Sequence, residues 1–215
     1  MGKNEIIKRA HKGGDLTVMR SGGEDKPSRV IRGTAIVLGQ PTELYRDSDV
    51  VLREVIDPAA VPESLLRESD IKMTLYHNPE RLLARSKFGD GSLKWERDDT
   101  GVCFEFEAPD TEDGNTALEL VERGVIDGCS FWAYARSSDY KEETVRDGDL
   151  VIVTRTILRF QSIEDFTLTP SPAYEQTEVE RVKRDALAVM EEKPTVKAPD
   201  FTAIERAASG VILDD

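Results

Sequence analysis

Cysteine and histidine are almost missing from this 215-residue chain, with two of each: Cys103 and Cys129, His11 and His77. Two thiols make no disulfide framework, and two imidazoles beside them leave too few ligands for a His/Cys metal centre. Long apolar runs are missing too. The longest are a few residues, such as 150–153, against the roughly 20 that a membrane-spanning helix needs. Behind the charges of the N-terminus there is no apolar run, so no secretory signal is expected, and Ile6 stands where a myristoylation signal needs Ser or Thr. Positive charge is also in short supply. Lys and Arg number 29 against 42 Asp and Glu, a net charge of -13, the wrong balance for a protein that grips duplex DNA with its own surface. Nor is there a phosphate-binding glycine loop, since Gly89-Asp90-Gly91 is short and leads into a strand rather than a helix.

What is present is one domain's worth of core and more charge than a core needs: 39% hydrophobic and 33% charged residues. Residues 1–28, rich in Lys, Arg and Gly and without sustained period, are expected to be a flexible arm. From residue 29 the texture changes. Strands are expected over 30–39, 50–56, 71–76, 92–95, 102–106, 126–135, 150–160 and from 166, with Asp98-Asp99-Thr100-Gly101 as a hairpin turn. A capped short helix should follow Asp57-Pro58, and an acidic amphipathic helix is expected over 116–123, closed by Gly124. The segment between the strands at 126–135 and 150–160 reads as a charged loop. The fold class implied is α+β and mainly β: a bent sheet or β-barrel of about seven strands with a few surrounding helices. The domain is expected to run over 29–177. Beyond it, 178–215 shows helical spacing at Val179, Val182, Ala186 and Met190, broken by Pro194 and Pro199. That tail reads either as a docked helix with a frayed end or as a partner-binding or removable segment.

Three stretches could carry chemistry. His77 ends a strand whose alternation puts it on the apolar face of Ile71, Met73 and Leu75, just before Asn78-Pro79. There it could be a general base at the rim of the core, or a core histidine bonded to a carbonyl. In Gly128-Cys129-Ser130-Phe131-Trp132, alternation sends Cys129 and Phe131 to an apolar face and Ser130 and Trp132 to the other. Ser130 could be a nucleophile or an ordinary polar strand residue. Cys129, the rival nucleophile, has the surroundings of a buried thiol. Finally Glu164-Asp165 leads into a short strand that ends in Thr169-Pro170-Ser171-Pro172. A carboxylate here could orient the imidazole, or simply sit in solvent at a strand end.

Taken together these stretches resemble a known family. Gly33-Thr34-Ala35-Ile36-Val37-Leu38-Gly39, Glu54-Val55-Ile56-Asp57-Pro58-Ala59-Ala60 with Ser64-Leu65, Leu75-Tyr76-His77-Asn78, Gly128-Cys129-Ser130-Phe131-Trp132, and 165–174 are similar, in order and spacing, to the motifs of tailed-phage prohead proteases. Those are serine peptidases that mature capsids and are related in fold to herpesvirus assemblin. The match spans roughly 30–177, with Ala59, Val61 and Trp132 standing where the family commonly has Gly, Phe and Gly.

The resemblance implies a serine endopeptidase with Ser130 as nucleophile, His77 as general base and Asp165 as the orienting acid, Glu164 being the alternative one residue away. By analogy with assemblin, Arg155 or Arg159 would help stabilise the oxyanion. No metal or organic cofactor is implied. The partners implied are substrates: the major capsid protein and scaffold segments, and the protease itself. A homodimer is a further expectation, as is a location in the host cytoplasm inside the immature capsid. Neither membrane nor direct nucleic-acid contact is expected, and the competing reading is a non-catalytic β-barrel that binds scaffold or capsid protein through its C-terminal helices.

Overall fold

Runs of β-branched and aromatic residues punctuated by Gly, Asp and Pro dominate the chain between 30 and 169, and strands are what they make. The computed structural model describes residues 4–12, 16–18 and 28–170. Among these the strands are β1 (Asn4–Lys12), β2 (Thr17–Val18), β3 (Val30–Val37), β4 (Thr42–Arg46), β5 (Val50–Ile56), β6 (Asp70–Leu75), β7 (Asn78–Lys87), β8 (Asp90–Gly91), β9 (Lys94–Arg97), β10 (Gly101–Glu107), β11 (Gly128–Arg136), β12 (Tyr140–Asp147), β13 (Leu150–Ile157) and β14 (Ser162–Thr169). The helices are α1 (Glu63–Glu68) and α2 (Glu112–Glu122). The molecule is mainly β with two short helices, as the sequence implies, but with about twice the expected number of strands.

The strands form three sheets. The first has the order β1-β11-β14-β6-β7-β8, the second β2-β3-β10-β9 and the third β12-β13-β5-β4. Most neighbours are antiparallel, but β14 pairs with β6 in parallel, Asp165 to Leu168 lying against Lys72 to Leu75. That parallel pair puts the ends of two strands far apart in sequence side by side.

The core lies between the sheets. Ile31 and Ile36 of β3, Phe104 and Phe106 of β10, Ile71, Met73 and Leu75 of β6, Phe131 of β11 and Phe166 and Leu168 of β14 are buried in one cluster. Phe104 touches Phe166 across the sheets, ring centroids 6.4 Å apart, and Phe160 meets Phe131 edge to face at 5.9 Å. The third sheet carries its own small cluster of Leu44, Val50, Leu52, Val151 and Val153.

Local signals act as the sequence suggests. Asp57 accepts from Ala59 N at 2.8 Å and starts a short 3-10 turn at Pro58. Asp98 accepts from Thr100 N and Gly101 N in the β9–β10 hairpin. Thr111 caps α2 through Gly114 N, and Gly124, at φ +65°, ends it.

Three expectations need correction. The arm of residues 1–28 is not without structure: Asn4–Lys12 pairs antiparallel with β11 over nine residues, because backbone pairing along a sheet edge asks for no apolar pattern. The charged loop before 150 is a strand, β12, exposed along nearly its whole length and paired with β13. The strand at 71–76 stops at Leu75, and Tyr76 and His77 form a two-residue hairpin turn into β7, both at positive φ (58° and 56°). The tail expected at 178–215 lies outside the described residues.

Candidate active site

The hairpin turn decides where His77 points. A two-residue turn with both centres at positive φ suits the strand twist but is costly for residues other than Gly, Asn or Asp. Here it takes His77 off the apolar face assigned to it by alternation. Ile71, Met73 and Leu75 stay in the core, while the His77 ring comes over to the side of Thr74, against β14 and β11. Main-chain and side-chain bonds hold the turn there: Tyr76 N donates to Leu168 O at 3.2 Å, and His77 N donates to Thr167 Oγ1 at 2.8 Å.

β14 supplies the acid. Between Trp132 and Ala133 the register with β11 shifts, so Trp132 faces Asp165 and Ala133 faces Ile163. Glu164 is the extra residue of this bulge. The bulge lets Ile163 and Phe166, three apart, both enter the core, and it leaves Asp165 and Thr167 on the same side as Ser130. Glu164 instead accepts from Ser162 Oγ at 2.8 Å.

His77, Ser130 and Asp165 meet. His77 Nδ1 lies 2.9 Å from Asp165 Oδ1 and 3.2 Å from Oδ2. Its Nε2 lies 2.9 Å from Ser130 Oγ. An ionised carboxylate can only accept, so these partners assign the proton to Nδ1 and leave Nε2 to accept from the hydroxyl. Asp165 is 6% exposed and Ser130 0%. Thr74 Oγ1 lies 3.4 Å from Asp165 Oδ2. Trp132 stacks on the imidazole, centroids 4.9 Å apart and planes 17° from parallel.

Cys129 is on the other face of β11, fully in the core. Burial, with the Asp165 charge adding to it, pushes its thiol far above the usual range, so it is no thiolate nucleophile. Arg155 is buried in the third sheet, where Glu142 accepts from its Nε and Nη2 at 2.9 and 2.6 Å and Tyr140 lies under its guanidinium. Arg159 is exposed. Neither position gives an argument for an oxyanion role. His11 sits in β1, in register with Cys129.

Three residues of this site were not singled out from sequence: Thr74, Thr167 and the ring-stacking role of Trp132. Thr167 had a signal, since it is two residues from Asp165 on the same strand face. Thr74 had none, because the turn that brings His77 to its side breaks the alternation.

A hydroxyl on β11, an imidazole on the β6–β7 turn and a carboxylate on β14, in series, is the arrangement of a serine hydrolase. The particular kind follows from comparison: the chain belongs to the Caudovirus prohead serine protease family, whose sequence profile matches residues 15–192. It is thus a member of the serine proteases of capsid maturation. The match reaches into both the expected arm and the expected tail. In structure the chain is similar to the bacteriophage T4 capsid assembly protease, gp21, with 11% identity, a TM-score of 0.41, and coverage of 78% of this chain and 99% of that one. No curated protein matches in sequence.

Proposed function

We propose that Ser130, His77 and Asp165 are the catalytic residues of this protease and that it hydrolyses peptide bonds in scaffold segments and in the major capsid protein. The single observation that carries the assignment is His77 Nε2 at 2.9 Å from Ser130 Oγ with Nδ1 at 2.9 Å from Asp165. In the first step Ser130 Oγ attacks the scissile carbonyl as His77 takes its proton. The imidazolium, stabilised by Asp165, then gives that proton to the leaving amine, and the acyl-enzyme is hydrolysed by water activated by the same ring. Glu164, held by Ser162, has no part in this relay.

The peptidase domain in this reading covers 29–177, and 178–215 is a tail that the enzyme removes from itself or presents to a partner. The protease works inside the immature capsid in the host cytoplasm, with a homodimer as the form to be tested by sedimentation. Membership of the prohead serine protease family supports substrates within the same shell.

The test is labelling with a fluorophosphonate beside a thiol probe. Covalent modification is expected at Ser130 and is lost in His77→Ala. In the folded protein iodoacetamide should reach Cys103, which is exposed, and not Cys129. Labelling that survives His77→Ala, or inhibition mapped to Cys129, would overturn the assignment.

A further inference from the structure

We infer that Thr167 is a positioning residue of this site: its buried hydroxyl clamps the main chain of His77 and thereby sets where the imidazole stands over Ser130. The inference rests on the reading of His77 as the base.

Thr167 is 0% exposed, so its hydroxyl must find its partners inside the protein. It finds three. Thr167 Oγ1 lies 2.8 Å from His77 N, 2.9 Å from Thr74 Oγ1 and 3.0 Å from Thr74 O. A hydroxyl has one hydrogen to give and two lone pairs to receive. Here His77 N–H and Thr74 O–H fill the lone pairs, and its own hydrogen goes to the Thr74 carbonyl. Every capacity of the group is spent on the β6–β7 turn and the strand entering it.

The turn needs holding. Tyr76 and His77 both sit at positive φ, a conformation that bulky residues keep only where their surroundings over-determine it. Two successive residues of β14 do this, Thr167 with its side chain and Leu168 with its carbonyl to Tyr76 N. The same threonine is bonded to Thr74, whose hydroxyl is also the near neighbour of Asp165 Oδ2. A shift of the His77 backbone would move the ring away from Ser130 and Asp165 together. The hydroxyl of Thr167 is bonded to the His77 N–H and to Thr74, so it acts on the ring through the backbone of His77.

The experiment measures fluorophosphonate inactivation of the full chain as a function of probe concentration, for wild type, Thr167→Val and Thr167→Ser. Valine keeps the shape and removes the hydroxyl. It should lower the maximal inactivation rate about 10²-fold, the scale of a ring misplaced by an ångström, with the half-saturating concentration unchanged. Serine, which restores the hydroxyl, should recover most of the rate. A valine variant that reacts like wild type, or a serine variant as slow as valine, overturns the proposal. Amide hydrogen exchange on the wild type tests it without any substitution: the His77 N–H should be strongly protected, and an unprotected one refutes the clamp even if the valine variant does not fold. Should the wild type fail to react at Ser130, the catalytic assignment falls by itself, while the exchange rate of the His77 amide still decides on Thr167.

Discussion

In the proposed relay, Asp165 is the residue that orients the imidazole. It is nearly buried, accepts from His77 Nδ1, and dictates which ring nitrogen faces the serine. Asp165→Asn keeps the shape but can present an N–H to Nδ1, which favours the tautomer whose Nε2 is protonated and useless as a base. Measured kcat for a cleavable scaffold peptide should fall by about 10⁴, with KM little changed. Glu164→Gln, one residue away, should leave kcat as it is. A large loss in the Gln variant with none in the Asn variant would reverse the roles of the two acids. The residue pattern alone left both acids open, and only the family resemblance favoured Asp165, with Glu164 as the alternative. The bulge opposite Trp132 and Ala133 separates them, and its trace in the sequence is Ile163 and Phe166 standing three apart where alternation wants two. Ser130 and Cys129, in contrast, were separable by alternation alone, because both sit in a regular stretch of β11 with Phe131 anchoring the core face.

At the scale of the element, two hairpins show how this chain handles tight turns. The β6–β7 turn places Tyr76 and His77 at positive φ for the sake of the site. The β7–β8 turn, Phe88-Gly89, has the same two-residue form, with φ values of 55° and 86°, and no catalytic residue in it. Phe88 is 63% exposed and has the Lys87 ammonium over its ring. Left-handed backbone costs a bulky residue about 1–3 kcal/mol, and an exposed cation–π contact returns about 0.5–1 kcal/mol. Phe88→Asn makes the Asn-Gly pair that this turn favours, so a net gain of about 1 kcal/mol is expected, or about 2–4 °C in Tm. Thermal unfolding followed by circular dichroism measures it, and a lower Tm would mean that the Phe88 ring makes contacts worth more than the strain. The elements legible in advance were those with their own pattern. β5 is a β-branched run ended by Asp57-Pro58, and the β9–β10 hairpin announces itself in Asp98-Asp99-Thr100-Gly101. β12 was illegible because Val145 is its only aliphatic residue, and β1 because its place is set by the free edge of β11 rather than by side-chain period.

For the whole molecule, β1 matters more than its position near the chain start suggests. It is the outermost strand of the six-stranded sheet and pairs with the strand that bears Ser130, Ala10 lying in register with the serine. Deleting residues 1–15 would leave the far side of β11 as an open edge, a template for pairing with another chain. Such a truncated protein should melt several degrees lower and sediment partly as larger species, both measured against the full chain. An unchanged Tm and a single unchanged sedimentation boundary would mean that β1 adds nothing to the sheet. The family assignment spreads over most of the chain, yet the site depends on one turn and two strands meeting, and no single segment contains enough information for that. The chain holds two tryptophans, Trp95 and Trp132, and the second lies face to face with His77. Indole emission is quenched by a protonated imidazole in contact with it. In a Trp95→Phe background, therefore, the fluorescence of the remaining indole becomes an optical gauge of the charge on His77, dimming as the ring takes up a proton and brightening as it lets one go, with no label added.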